Sequence, residues 1–116
     1  MEQFKKLNSF EKRKEESCRI CKKHSDRVPI IVCRNIKDNN IAEIDKQKFL
    51  VPKDMTIGQF VYVIRKRINL KPEQALFVLI NNSLQPSNKL LEEIYEDCKD
   101  DDGFLYIIYS SENTFG

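Results

Sequence analysis

The sequence has no tryptophan, a single histidine and only three glycines in 116 residues. It offers no glycine-rich loop to cradle a phosphate, no catalytic triad and no plausibly paired carboxylates, and the lone His24 does not change that. Long apolar runs are missing too. The longest, Ala75–Ile80 and Phe104–Tyr109, are six residues each, against roughly 20 needed to span a bilayer. Met1–Cys18 is charged and lacks the apolar centre of a secretory signal. The four cysteines, Cys18, Cys21, Cys33 and Cys98, are scattered rather than arranged as a dense framework, so reduced thiols are expected. A net charge of +2 argues against nucleic acid as a partner. These absences describe one soluble, cytosolic domain with no enzyme active site, no cofactor and no metal.

What is present is unevenly distributed. Residues 1–27 hold nine basic and five acidic residues, whereas Glu92–Asp102 holds seven acids and one lysine. The chain therefore combines a basic arm with an acidic patch. The arm, residues 1–27, is polar and helix-compatible. Asn8 or Ser9 can cap a helix from Phe10 to about Lys23, with a thin apolar line of Phe10, Ser17 and Cys21 beside Ile20 and His24. From Val28 the pattern changes. Val28–Val32 is continuously apolar and β-branched, as in a strand covered on both faces. Ile44–Val51 reads as a second strand ended by Pro52. Thr56 and Gln59 form a capping box, and Ile57, Phe60, Val61, Ile64 and Ile68 follow at helical spacing to about Arg67. Ala75–Ile80 is a further strand, and Asn81–Ser83 a tight turn into a short strand at Leu84. Ser87 is expected to cap a second helix with Leu90, Leu91, Ile94, Tyr95 and Cys98 on its face. Phe104–Tyr109 is the last strand.

The order is a helical arm followed by ββαββαβ. That is an α+β, β-grasp pattern with a mixed sheet of four to five strands, in which the first and last strands lie parallel at the centre. Both central runs are apolar throughout, so each face of the sheet needs a cover. The arm is the only segment left to supply the second one. The expected organisation is an arm at 1–27, a β-grasp domain at 28–110 and a polar tail at 111–116.

Several blocks agree in order and spacing with one family. Ser9–Lys14, Arg27–Val32, Lys48–Ile68, Lys99–Tyr106 and Tyr109–Gly116 together resemble the autophagy-related protein 8 family of ubiquitin-like modifiers. The resemblance covers essentially the whole chain. It implies a ubiquitin-like fold with two additional N-terminal helices, work in autophagosome formation, and conjugation through Gly116 to phosphatidylethanolamine. The partners it implies are an E1-like activating enzyme, an E2-like conjugating enzyme, a processing and deconjugating cysteine protease, and cargo receptors with aromatic-x-x-aliphatic motifs. The implied locations are the cytoplasm and, through the lipid, autophagosome and vacuole- or lysosome-related membranes.

Chemistry supports the role of the glycine. A residue without Cβ tolerates nearly any backbone geometry and can thread a narrow channel. Its carboxylate, adenylated and passed to a thiol, becomes a thioester reactive toward a lipid amine. Two acyl chains then anchor the product stably where one would be marginal. Ser110–Thr114 would serve as a polar tether, with Phe115 guiding it into an enzyme channel. Family members are usually made with residues after the glycine, so this chain is either encoded ready for activation or trimmed to it. The loop after Val32 is one residue longer than the family's usual length.

The strand Lys46–Val51 is the second candidate. Lysines on a strand can simply blunt an edge against aggregation; an open edge can also accept an added peptide strand. Lys46, Lys48 and Leu50 face one way, Phe49 and Val51 the other. Two ligand residues three positions apart lie roughly 10 Å apart on opposite faces, which fits an aromatic-x-x-aliphatic motif. By position match to the family, the aromatic pocket is Glu16, Ile20, Pro29, Ile31, Lys48, Leu50 and Phe104. The aliphatic pocket is Phe49, Val51, Pro52, Met55, Phe60 and Val63, with Lys46 and Arg67 meeting acids beside the motif. Several of these, Ile31 and Phe60 above all, could equally be plain core.

Other features carry less. Cys18-x-x-Cys21-x-x-His24 resembles part of a zinc site, but structural zinc takes four ligands, so incidental cysteines on a helix are expected. The basic arm either meets anionic lipid headgroups or is a solvated helix face. Two alternatives to the lipid-conjugated modifier stay open: a modifier conjugated to protein lysines, and an unconjugated adaptor or trafficking scaffold that uses only the edge-strand pockets.

Overall fold

The computed structural model describes residues 1–112. The element order is α1 (Glu2–Leu7), α2 (Phe10–Lys23), β1 (Arg27–Arg34), β2 (Lys48–Pro52), α3 (Ile57–Arg67), β3 (Phe77–Leu79), α4 (Leu91–Cys98) and β4 (Leu105–Ser110). The strands form one mixed sheet in the order β2-β1-β4-β3. β1 and β4 are parallel neighbours at its centre, with Ile30 opposite Leu105 and Val32 opposite Ile107. β2 and β3 pair antiparallel on either side. This is the β-grasp arrangement expected from the two all-apolar runs, with four strands.

The sheet is sandwiched. Val28, Ile30 and Val32 of β1 alternate onto one face, where they join Leu105, Ile107 and Tyr109 of β4. Phe60 and Ile64 of α3 and Leu91 and Ile94 of α4 close that main core. The intervening Ile31 and Cys33 turn to the other face and meet Phe104, Tyr106, Phe4 of α1 and Ile20 of α2. A strand with helices on both faces has no polar side to show, which is why these two runs are continuously apolar.

Helix starts written in local chemistry appear where expected. The Ser9 hydroxyl accepts from Lys12 N at 3.2 Å and opens α2. In α3 the Thr56 hydroxyl accepts from Gln59 N at 3.1 Å, and Thr56 N donates back to the Gln59 side chain at 2.9 Å. The start of α4 differs. Ser87 is not its cap; the helix begins at Leu91, and Leu90 provides no capping side chain. Its first N–H groups are met from another segment instead: Leu91 N donates to Met55 O at 2.9 Å and Glu92 N to Lys53 O at 3.2 Å. The Ser87 carbonyl takes the Gly58 amide at 2.9 Å. A Cβ on Gly58 would sit 2.9 Å from that same oxygen, so this close approach needs glycine.

Three strand readings are corrected. β2 starts at Lys48, not Ile44. After Val32 N donates to Gln47 O at 2.8 Å, the chain leaves the ladder so that Ile41 and Ile44 can pack on the main core. The Ala75–Ile80 run narrows to Phe77–Leu79 because Ala75 is exposed beyond the ladder. Leu84 is no strand; the hairpin closes at an Ile80–Ser83 bridge around Asn81 and Asn82, both at positive φ, and leaves Leu84 exposed.

The arm is held by polar groups as much as by apolar ones. The line Phe10–Ser17–Cys21 is buried only in part: Ser17 is buried and Cys21 half-buried, but Phe10 is 48% exposed, and Arg13 joins Ser17 as the other buried position of α2. Arg13 Nη1 lies 2.6 Å from Asp102 Oδ2, and Asp102 is wholly buried. The same carboxylate accepts from Tyr106 Oη at 2.5 Å and Phe104 N at 2.9 Å. Ser17 donates to the Asp102 carbonyl. Gly103 has φ +90°, and a Cβ there would strike the Ser17 hydroxyl at 2.3 Å, so this turn fits against α2 only with glycine. Lys5 of α1 adds an ion pair to Asp100 at 2.7 Å. Burial pushes the Tyr106 phenol pKa up, and the bond to Asp102 adds to that. Among the described residues every buried side-chain polar atom has a partner, and no helix is long and apolar enough to cross a membrane.

Candidate peptide-docking edge

β2 is an edge strand. β1 occupies one side of it, and among the described residues no strand pairs with the other. Directly opposed residues share a face, and the register sets Pro29 against Leu50 and Ile31 against Lys48. These four therefore face α1 and α2. Ile31 and Phe104 are 0% and 1% exposed and lie beneath this side as core, while Ile20 and Leu50 are half-buried. Lys48 and Glu16 join at 2.7 Å across the top. The structure thus brings all seven residues of the expected aromatic pocket to one side of the edge.

One resident of that side was missed. Phe4 is 6% exposed and stands edge-on to Phe104 and Tyr106, with ring centroids 6.1 and 6.2 Å away. The Lys48 ammonium lies 5.8 Å from the centre of its ring. The resemblance implies two N-terminal helices but assigns no residue of the first a role, and the only signal for Phe4 is its place as the single aromatic residue of the first nine.

On the opposite side, Phe49 and Val51 enter the main core. Phe49 packs edge-to-face on Phe60 at 5.4 Å. Phe60 is 0% exposed, so it is a core residue beneath this side and not part of its open surface. Met55 and Val63 are half-buried against the same core, and Pro52 is half-buried at the end of β2. Lys46 Nζ and Arg67 Cζ stand 5.1 and 5.8 Å from the Phe49 ring centre, giving this side a cationic fringe. Arg67 is engaged by Asp45 at 3.2 Å, an exposed pair that an acidic ligand could exchange at little cost.

The arrangement suits an extended ligand. The unpaired β2 backbone supplies ladder groups, apolar ground lies on both sides, and positive charge stands at one end. It contains no nucleophile–base pair. Cys18 is exposed and Cys21 Sγ sits 3.7 Å from Tyr95 Oη. Among the described residues no three of His, Cys, Asp and Glu gather into a metal-binding group. Gly116 and Phe115 lie outside the described residues.

Comparison with known proteins agrees along nearly the whole chain. A family sequence model described as "Autophagy protein Atg8 ubiquitin like" matches residues 12–116. The Autophagy-related protein 8 of Coccidioides immitis is 58% identical over 97% of this chain and 96% of its own. That of Lodderomyces elongisporus is 56% identical over 98% of this chain and 77% of its own. The crystal structure of Trypanosoma brucei ATG8 superposes with a TM-score of 0.88 at 46% identity, covering 97% of both chains.

Proposed function

The chain belongs to the Atg8 family of ubiquitin-like autophagy proteins, and from that premise we propose that it works as a lipid-conjugated modifier and docking module. Gly116 is the acyl donor. An E1-like enzyme adenylates it and takes it as a thioester, an E2-like enzyme receives it, and the amine of phosphatidylethanolamine displaces the thiol. A cysteine protease exposes the glycine and later cleaves the conjugate. The protein then moves between the cytoplasm and autophagosome and vacuole- or lysosome-related membranes, where it gathers cargo receptors. The observation that carries this reading is the family match over residues 12–116.

Receptor capture is assigned to the β2 edge. A receptor segment adds as a strand, its aromatic residue settling over Ile31 and Phe104 and its aliphatic residue beside Met55 and Val63. The Glu16–Lys48 pair has to part for the aromatic side chain to enter, which is affordable because Lys48 is half-exposed. Acids flanking the motif meet Lys46 and Arg67. Titrating an acidic aromatic-x-x-aliphatic peptide tests this. The Leu50→Ala variant is expected to bind at least about tenfold more weakly, or ~1.4 kcal/mol. Equal affinity for both proteins would place the docking site elsewhere.

A further inference from the structure

A buried carboxylate stands where the last strand runs out. The final ladder contacts of β4 are Asn35 N to Tyr109 O at 2.8 Å and the pairing of Ser110 with Phe77. Beyond them β1 and β3 offer no further partners, and a chain end without partners frays. Asp38 fills the gap from the loop after β1. Its Oδ2 accepts from Ser110 Oγ at 3.0 Å, Ser111 N at 2.6 Å and Ser111 Oγ at 2.7 Å. Its Oδ1 accepts from Asn40 N at 2.9 Å, and its own amide donates to Asn35 O at 3.0 Å. One oxygen thus holds the loop and the other the end of β4.

Asp38 is only 7% exposed, and among the described residues no lysine or arginine pairs with it. Burying a carboxylate without a counter-ion is costly unless hydrogen bonds replace its water. Here they all come from the loop and the strand end, and such charge-assisted bonds are the strong kind. The Ser111 hydroxyl contributes most to holding the carboxyl down at about 2. The group therefore stays ionised across the cellular pH range, and the grip is constitutive rather than a pH switch.

We propose that Asp38 is a positioning residue for the C-terminal transfer reaction, clamping Ser110 and Ser111 so that the reactive tail starts from a fixed root. This rests on the conjugation reading above. A tail whose root is already oriented gives up less freedom on entering an enzyme channel. Releasing the clamp should therefore raise the KM for charging and leave kcat nearly unchanged.

The test compares the full chain with Asp38→Ala and with Ser111→Ala. The second removes one half-exposed hydroxyl and leaves the loop bonds intact, so it covers the case in which the first disturbs folding. Amide exchange at Ser111 and Glu112 is expected to rise about tenfold in Asp38→Ala and several-fold in Ser111→Ala, with Ile30–Val32 and Leu105–Ile107 unchanged. The KM for thioester formation with the activating enzyme and ATP should rise at least about threefold in Asp38→Ala. Unchanged exchange in both variants would overturn the clamp. Faster exchange with unchanged KM would overturn the positioning role. A wild-type chain that is not charged at all would contradict the conjugation reading and take the positioning role with it, while exchange would still decide whether the clamp exists.

Discussion

Arg13→Ala is expected to destabilise the protein by about 3 kcal/mol, near the lower end for a broken buried ion pair, and to lower Tm by roughly 10 °C. The reason is the environment of Asp102, which is wholly buried. Without the guanidinium its carboxylate keeps only Tyr106 Oη and Phe104 N as donors, against the full cost of a buried charge. Those two bonds hold the loss at the low end. Hydrogen exchange should rise across α1 and α2 more than across β1 and β4, because Asp102 is the polar point to which α2 is tied. Lys5→Ala, which removes a partly exposed pair with Asp100, is expected to cost no more than about 1 kcal/mol. Chemical denaturation of the two variants checks the contrast. Equal, small losses would mean that the arm is held by Phe4 and Ile20 alone.

Phe60→Ala is expected to cost about 3–5 kcal/mol, as for other buried aromatic truncations, and to abolish peptide capture as a consequence. Phe60 lies inside the main core, and its ring supports Phe49 of β2 edge-on. The cavity left behind would let Phe49 sink away from the edge, so stability and binding fall together. Val63→Ala separates the two effects. Val63 is half-buried on the same side, so its truncation should cost about 1 kcal/mol while still weakening the peptide several-fold. Calorimetric unfolding and peptide titration on both variants decide the matter. A Phe60→Ala protein of normal stability that no longer bound peptide would make Phe60 a contact residue instead.

Where the fold is written in local chemistry, the sequence was legible. The starts of α2 and α3 follow from Ser9 and from the Thr56–Gln59 pair, each acting within one turn. The parallel central strands follow from two runs with no polar face. What was missed depends on partners distant in sequence. The start of α4 is satisfied by the carbonyls of Lys53 and Met55, so no residue near Leu91 announces it. Ile44 left β2 because core packing outcompeted the ladder for a segment whose pattern suited either. Arg13 escapes a reading of the arm because its residue type is ordinarily solvated; only Asp102, 89 positions away, reveals why it is buried. The alternation of Lys48 and Leu50 against Phe49 and Val51 was legible within β2, but Lys46 precedes the strand and stands over the Phe49 ring instead of beside Lys48. Phe4 was not legible, because a lone aromatic residue in a polar arm carries no periodicity.

The central claim of the proposed function is that Gly116 is the residue joined to lipid. The direct measurement incubates the chain ending at Gly116 with the activating and conjugating enzymes, ATP and phosphatidylethanolamine liposomes, beside a Gly116→Ala chain. The expected result is a gel-mobility shift that floats with the liposomes, resists reducing agent and disappears in Gly116→Ala. No lipid-dependent shift, or a shift only with protein acceptors, or one that survives the loss of the glycine, would contradict the account.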